Sequence, residues 1–144
     1  MIIKRPYKIA LIDDDESILE FLEITVNAID GVTARAFSDP EQALKAIKEE
    51  QIRIVLTDVN MPNMPGDDLL RECMKLKQGV SVFVATGCEK MTIADRCMQI
   101  GARAVLSKPV TQKQIEEAVL EGCRHLDRWQ DMIRQFSKAS KKAA

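Results

Sequence analysis

The stretch Leu56-Thr57-Asp58-Val59-Asn60-Met61-Pro62-Asn63-Met64-Pro65-Gly66 decides how this chain is interpreted. It continues an apolar run that begins at Ile52, and then enters a segment rich in proline, asparagine and glycine. An apolar run followed by a turn cluster is typical of a buried strand that ends in an exposed loop. Ligands of open α/β sheets bind at the carboxyl ends of the strands. The pattern therefore predicts that the Asp58 carboxylate lies at a reactive edge of a sheet.

The rest of the chain repeats this alternation of apolar strands and amphipathic helices. Continuous apolar runs are typical of strands covered on both faces, and strands that alternate with helices indicate a parallel sheet with right-handed crossovers. We therefore predict an α/β fold with a five-stranded parallel sheet, doubly wound and flavodoxin-like, and an extended C-terminal helix. The strands are predicted at 8–12, 33–37, 52–57, 80–85 and 104–106.

Several helix ends can be predicted from capping residues. Asp39 is predicted as an N-cap, with Pro40 at the first helical position and Gln42 completing a capping box. Thr111 and Gln114 have the same spacing before the last helix. Gly101 is the expected residue just after the fourth helix.

Composition narrows the class of protein. The chain has 144 residues and a net charge of −1, which predicts a single domain and no overall affinity for polyanions. None of the four cysteines has C-x-x-C spacing, so we interpret them mainly as core residues in a reducing compartment. No apolar run is long enough for a membrane span, and the N-terminus lacks a signal-peptide pattern. We expect a cytoplasmic protein with no membrane or nucleic-acid partner.

Polar residues follow four of the predicted strands. Asp13 and Asp14 follow the first, Asp58 the third, Thr86 the fourth and Lys108 the fifth. Two unit charges about 4 Å apart repel by roughly 4 kcal/mol at an effective dielectric constant near 20. Crowded carboxylates therefore need either a nearby cation or raised pKa values. An all-oxygen site with room for water suits Mg²⁺, and a lysine adds positive charge without occupying a metal position.

A metal, an ammonium and a hydroxyl around one carboxylate are the groups that phosphoryl transfer requires. The cations stabilise charge on the phosphoryl oxygens while the carboxylate attacks in line, giving an aspartyl phosphate. Asp58 is favoured as the phosphoacceptor because it stands alone in a turn loop, whereas Asp13 and Asp14 are adjacent, as metal ligands would be.

The chain resembles the CheY-like receiver domain of two-component response regulators from about Tyr7 to Leu126. The resemblance implies that this chain is a signalling phosphoprotein that takes a phosphoryl group from a histidine kinase or a histidine phosphotransfer protein. Its enzymic chemistry is limited to its own phosphorylation and dephosphorylation. The resemblance also implies a cis peptide at Lys108–Pro109. The motifs that carry it are Asp13-Asp14, the stretch around Asp58, Thr86-Gly87 and Lys108-Pro109.

The resemblance assigns a role to each of these positions. Asp58 is the implied phosphoacceptor, Thr86 contacts the incoming phosphoryl oxygen, and Lys108 pairs with it. The implied Mg²⁺ ligands are the side chains of Asp13, Asp14 and Asp58 and the backbone carbonyl of Asn60.

One position departs from the family pattern. Receivers usually have an aromatic residue three positions before the lysine, where this chain has Val105. A β-branched valine has few rotamers and no ring to swing inward. We therefore expect phosphorylation to be relayed differently, through the loop from Thr86 to Lys90.

The last helix is predicted to continue past the domain. Its apolar residues follow a spacing of three and four up to Trp129, Ile133 and Phe136. We predict a receiver domain over 1–126 and a helix extension with a basic tail over 127–144. Two interpretations remain open: the helix extends into a partner, as a homodimer or a linker to an output module, or the tail folds back or frays.

Three alternative functions compete with this interpretation. A phosphatase resembling the haloacid dehalogenase superfamily would use Asp13 in a D-x-D motif. The paired metal-binding acids of that family come late in the chain, and here nothing acidic follows Lys108 at a strand end. A calcium-binding loop starting at Asp13 fails because its sixth and twelfth positions are Ile18 and Ile24. An adaptor that keeps the fold without phosphorylation is a further alternative.

Overall fold

The computed structural model describes residues 2–61, 64, 66–87 and 91–143. Strands and helices alternate throughout, as the sequence predicts. The strands are β1 (Tyr7–Ile12), β2 (Val32–Phe37), β3 (Ile54–Asp58), β4 (Ser81–Thr86) and β5 (Ala104–Ser107). The helices are α1 (Glu16–Asn27), α2 (Pro40–Glu49), α3 (Gly66–Lys75), α4 (Met91–Ile100) and α5 (Gln112–Ala143).

The five strands form one parallel sheet in the order β2-β1-β3-β4-β5. Strand β1 lies between β2 and β3, and the later strands follow on the β3 side. The carboxyl ends of β1 and β3 are therefore neighbours. Each face of the sheet has its own apolar cluster, one with α2, α3 and α4, the other with α1 and α5. The prediction of a doubly wound, flavodoxin-like α/β fold is confirmed.

Strand β3 begins two residues later than predicted. The N–H of Ile52 donates to the carbonyl of Ile47 at 3.3 Å, so this residue belongs to the turn after α2. Pairing starts where both neighbours are available, with Ile54 opposite Ile9 of β1 and Ser81 of β4. The strand then reaches Asp58, which is its last residue.

The predicted helix ends are largely observed. Asp39 caps α2 by accepting the N–H of Glu41 at 3.0 Å, and the contribution of Gln42 stays a prediction. Thr111 and Gln114 cap α5 reciprocally, with backbone-to-side-chain bonds of 2.9 and 3.2 Å. Gly101 has a φ of +131°, the backbone conformation that favours glycine.

Helix α5 lies against the sheet in its first half and then continues past it. Gly122 faces β3 so closely that a methyl group there would lie 2.9 Å from Ile54 Cγ2. Farther along, Gln130 is buried, whereas Trp129 is 37% exposed and Phe136 is 69% exposed. The helix is continuous to Ala143, so the described part of the tail does not fold back. A domain boundary at residue 126 stays a prediction.

Two expectations drawn from the composition concern the burial of the cysteines and the apolar character of the helices. Cys73, Cys97 and Cys123 are buried and free, as expected for core residues, and Cys88 lies outside the described residues. Within the part of the chain described, no helix combines the length and the apolar character that crossing a bilayer needs.

Candidate functional site

Asp58 lies at the carboxyl end of the central strand and is 5% exposed. It is opposite Ala85 of β4, and the next residue, Val59, donates its N–H to the Ala85 carbonyl at 3.1 Å. One carboxylate oxygen, Oδ1, accepts the backbone N–H of Asn60 at 3.2 Å. The strand and the first turn of the loop therefore fix where this carboxylate lies.

Two further carboxylates reach the same place from β1. Asp13 is 2% exposed, and its Oδ1 accepts the N–H of Asp15 at 2.9 Å. Its own N–H donates to the carbonyl of Phe37 at 3.2 Å, which continues the pairing with β2. Asp14 is exposed, yet one oxygen from each of Asp13, Asp14 and Asp58 lies within 4.8 Å of the others.

Lys108 supplies positive charge from the exit of β5. Its Nζ lies 3.1 Å from Asp13 Oδ2 and 3.3 Å from Asp58 Oδ2. Its backbone N–H donates to the carbonyl of Thr86 at 2.9 Å, which holds the β5 exit beside the end of β4. The Lys108–Pro109 peptide is cis, as the resemblance implies.

The ionisation of the site follows from burial and these contacts. Burial raises the pKa of Asp58 above its ordinary value, although the Asn60 N–H and the Lys108 charge act in the opposite direction. Burial alone would lower the pKa of Lys108. Its hydrogen bond to Asp13 and the charge of Asp58 outweigh this, so the pKa of Lys108 is raised and the ammonium stays charged.

The structure brings most of the predicted site residues together. Thr86 ends β4, is 5% exposed and lies opposite Ser107 of β5. Asn60 contacts the site through its backbone N–H, and a ligand role for its carbonyl stays a prediction. Four predicted features fall outside the described residues: Pro62, Asn63 and Pro65 of the Asp58 loop, and residues 88–90 of the predicted relay loop.

The donor set fits a hard divalent cation. The converging ligand atoms are carboxylate oxygens from three side chains, one of them exposed to solvent, and a small oxygen-seeking ion such as Mg²⁺ prefers this chemistry together with water. Lys108 contacts two of the three carboxylates without taking a ligand position. The group is therefore able to hold a cation beside Asp58.

Two features of the site were missed by the sequence analysis. Asp15, in the acidic run after β1, caps α1 by accepting the N–H groups of Ser17 and Ile18 at 2.9 and 3.3 Å. The preference of aspartate for N-cap positions was the available signal. The second feature is a cavity of about 530 Å³ next to Asp58, which depends on side-chain packing that periodicity does not report.

Val105, at the position where receivers usually have an aromatic residue, is half-buried. It packs against the apolar cluster on the α3 and α4 side of the sheet. The side chain at this position is therefore a small one that packs on the sheet, without a ring that could swing.

A comparison with known proteins matches residues 9–120 to the response regulator receiver domain. The chain is 31% identical over 117 residues to a probable C4-dicarboxylate response regulator, DctR, of Bacillus subtilis, covering 81% of this chain and 52% of DctR. It is 28% identical over 120 residues to the transcriptional regulatory protein FixJ of Rhizobium meliloti, covering 83% of this chain and 58% of FixJ. The chain thus spans about half the length of these two relatives.

Solved structures have the same fold. A response regulator receiver domain protein from Clostridium thermocellum aligns with a TM-score of 0.76 at 30% identity, covering 88% of this chain and 98% of that one. A CheY-like receiver domain protein from Methanospirillum hungatei aligns with a TM-score of 0.78 at 24% identity, covering 85% and 97%. Since the family model matches most of the chain, this protein belongs to the response regulator receiver domain family.

Proposed function

We propose that this chain is a two-component signalling protein that accepts a phosphoryl group on Asp58 and is not a turnover enzyme. The observation that carries the proposal is the convergence of Lys108 Nζ, 3.1 Å from Asp13 and 3.3 Å from Asp58, with three carboxylates within 4.8 Å. Three residues from the exits of β1 and β5 thus surround one buried nucleophile, Asp58, at the exit of β3.

The chemistry assigns a role to each group. An Asp58 oxygen attacks phosphorus in line, and the bond from phosphorus to the donor nitrogen of a phosphohistidine breaks. Lys108 pairs with the developing charge on a phosphoryl oxygen, and the Thr86 hydroxyl donates to another. Mg²⁺, when bound by Asp13, Asp14, Asp58 and the carbonyl of Asn60, supplies the remaining charge stabilisation. Hydrolysis of the aspartyl phosphate at the same site returns the chain to its starting state.

The phosphodonor is proposed to be a histidine kinase or a histidine phosphotransfer protein. Helix α1 begins beside Asp13 and presents Phe21, which is 37% exposed and lines the cavity next to Asp58. Apolar side chains next to a reactive site are typical of a protein docking face. A cytoplasmic location is part of the proposal and is supported by the three free, buried cysteines.

A small phosphodonor tests the acceptor role. Incubation with Mg²⁺ and acetyl phosphate should give a hydroxylamine-labile adduct in the wild type. The same adduct should form in the control variant Asp30→Asn, which removes an exposed carboxylate that is not among the site residues. The adduct should be absent from Asp58→Asn. An adduct that persists in Asp58→Asn contradicts the assignment.

The same variants separate the alternatives. Turnover of an aryl phosphate that is abolished by Asp13→Asn but survives Asp58→Asn would favour the phosphatase. Partner binding that is identical with and without phosphodonor would favour the adaptor.

The C-terminal helix is proposed to pair with a second copy of the chain. Trp129, Met132 and Phe136 are exposed and follow a spacing of three and four, which is typical of a coiled-coil seam. Light scattering with beryllofluoride and Mg²⁺ should report a dimer that Phe136→Glu abolishes and that Gln135→Glu, on the neighbouring exposed position, preserves. A monomer at all concentrations contradicts this part of the proposal.

A further inference from the structure

The residues before and at the start of β1 form a clasp on helix α5, at the point where this helix leaves the sheet. Leu126 is the last residue of α5 in the apolar cluster on its face of the sheet. In the next turn, the N–H of Ile3 donates to Gln130 Oε1, and Arg5 Nη2 donates to Asp127 Oδ2 at 2.9 Å. The residues of this clasp are Ile3, Arg5, Tyr7, Asp127 and Gln130.

Tyr7 completes the clasp from the first position of β1. It is buried, and its hydroxyl donates to Asp127 Oδ1 and accepts from Gln130 Nε2 at 3.0 Å. Both carboxylate oxygens of Asp127 and both polar atoms of the Gln130 amide therefore bond to residues 3–7. Because Gln130 is also buried, breaking these bonds leaves polar groups without the partners they have in the folded chain.

The clasp is attached to the rest of the domain on its other side. The Tyr7 N–H donates to the carbonyl of Gly31 at 2.9 Å, in the turn between α1 and β2. The Arg5 Cζ atom lies 4.7 Å from the centre of the Tyr7 ring. Arg5 is also so close to Gly31 that a methyl group there would lie 2.5 Å from Arg5 Nη1. The Arg5 side chain therefore joins this turn to Asp127 of α5.

Past the clasp, α5 is mostly surrounded by solvent. Every residue from Asp131 to Lys141 is exposed except Ile133, which is half-buried. An isolated helix shorter than about 12–15 residues is marginal in water, because its first turn is costly to form. The clasp holds a turn of α5 that is already formed, so the extension continues from it without a new nucleus. The same bonds fix the direction in which the extension leaves the domain.

The clasp covers one side of α5 and leaves the opposite side free. Since 3.6 residues make one helical turn, Asp127 and Gln130 lie on the side of the helix opposite the exposed residues of the proposed seam. These seam residues are Trp129, Met132 and Phe136. The polar side of the helix is thus held against its own chain, and the apolar side faces outward to where a second copy would pair.

We infer that residues 3–7 control the pairing of two copies of the chain, by holding the C-terminal helix in the conformation that pairs. The inference rests on the dimer part of the proposed function and names the residues that regulate it. With both clasps closed, the two helices are ordered before they meet, so the entropy lost on pairing is smaller. With a clasp open, only the fraction of molecules whose helix is formed is able to pair.

The test changes clasp residues that lie outside α5. Tyr7→Phe removes both hydroxyl bonds, and Arg5→Met removes the pair with Asp127. Neither substitution alters the seam or the helix propensity of α5, so an effect on pairing must pass through the clasp. Lys4→Met is the matched control, because Lys4 is an exposed neighbouring cation that makes no hydrogen bond or ion pair with the described residues of α5.

Light scattering over a concentration series, with Mg²⁺ and beryllofluoride, gives the Kd of the dimer. We expect this Kd to be about tenfold higher in Tyr7→Phe than in the wild type. Because both copies must be competent, this rise corresponds to a competent fraction of about one third in each copy. The rise should be smaller in Arg5→Met, whose ion pair is exposed, and absent in Lys4→Met. Thermal unfolding verifies that each variant is folded.

Hydrogen exchange gives a readout that does not depend on pairing. In the Phe136→Glu background, which removes the seam, the backbone amides of 131–141 should exchange faster with Tyr7→Phe than with the clasp intact. Unchanged exchange there, or an equal Kd for the wild type, Tyr7→Phe and Arg5→Met, would overturn the inference alone. A wild type that is monomeric at every concentration would overturn the proposed pairing, and the inference with it.

Discussion

The ammonium nitrogen of Lys108 lies 3.1 Å from the Asp13 carboxylate, although 95 residues separate the two in the chain. Asp13 follows β1 and Lys108 follows β5, and in the sheet β3 and β4 lie between these strands. The lysine side chain therefore extends across the carboxyl edge of two strands to reach its partner. On the way it passes Asp58, which is why one ammonium contacts both carboxylates.

Asp58→Asn should stabilise the metal-free protein. The substitution removes one of three crowded carboxylates, two of them buried, and should raise the free energy of unfolding by about 1 kcal/mol at pH 7 in a chelating buffer. Burial raises the pKa of Asp58 from 3.8, so the folded state disfavours its charged form. The gain should be near zero below pH 3.8 and should grow as the pH rises through the folded pKa.

Urea denaturation across this pH range measures the effect. Asp30→Asn, which removes an exposed carboxylate, is the control and should change stability by less than about 0.5 kcal/mol. A gain that is largest at low pH would contradict the assigned direction of the Asp58 shift.

Lys108→Met should slow phosphorylation. Removing one group that is positioned to stabilise the charge of a transition state costs about 10²- to 10³-fold in rate for comparable hydrogen-bond donors. Among the residues that the structure describes, Lys108 is the cation that contacts Asp58. The measurement is the rate of hydroxylamine-labile adduct formation with saturating acetyl phosphate and Mg²⁺. Lys113→Met, an exposed cation on α5, should keep the wild-type rate, and a similar rate in both variants would argue against a role for Lys108.

Tyr7→Phe should loosen the attachment of α5 to the N-terminal segment. The Tyr7 hydroxyl donates to Asp127 and accepts from Gln130 Nε2 at 3.0 Å, and Gln130 is 3% exposed. Losing the hydroxyl leaves a buried amide without this partner, so the free energy of unfolding should fall by about 1–3 kcal/mol. Lys75→Met, which breaks an exposed pair with Glu72 on α3, is the control and should cost less than about 0.5 kcal/mol.

This effect has a defined pH range. Burial, and then the hydrogen bond to Asp127, raise the pKa of Tyr7 from 10.0 to about 12. The stabilisation is fully present below pH 10 and is lost as the pH rises towards 12. The difference between wild type and Tyr7→Phe should therefore be constant between about pH 7 and 9, and a slope there would contradict this account.

Glu50→Gln should weaken the β2 edge of the sheet in a pH-dependent way. Glu50 accepts from Arg35 Nη2 at 2.6 Å and from Lys8 Nζ at 3.1 Å, and these contacts lower its pKa from 4.5 to about 2, the Arg35 hydrogen bond most. All three side chains are partly exposed, so the free energy of unfolding is expected to fall by only about 0.5–1 kcal/mol at pH 7. The stabilisation is present above pH 4.5 and is lost as the pH falls towards 2.

Chemical denaturation at several pH values verifies this prediction. Glu49→Gln, the exposed neighbour, is the matched control and should show no comparable loss. An equal loss at pH 2 and at pH 7 would mean that the carboxylate charge is not what stabilises the edge.

The sequence was sufficient to predict that Asp13, Asp58 and Lys108 meet in the folded chain. Asp13, Asp58 and Lys108 each follow an apolar run, and a parallel sheet brings every such exit to one edge. That rule needs only parallel strand direction, which the alternation of strands and helices indicates.

What the sequence left open depends on contacts between side chains. In the acidic run after β1, only packing determines that Asp13 turns inward while Asp15 caps α1. The bonds from Tyr7 to α5 join residues 120 or more positions apart, which no local pattern reports. The cavity next to Asp58 depends on the volumes of side chains from α1 and from the β5–α5 connection, and those elements meet only in the folded chain.

The most direct test of the central claim locates the phosphorylated residue. The protein is treated with acetyl phosphate and Mg²⁺ and reduced with borohydride, which converts an aspartyl phosphate to homoserine, and its peptides are sequenced by mass spectrometry. We predict homoserine at position 58 in the wild type and none in Asp58→Asn. Homoserine at position 13 or 14 would contradict the account.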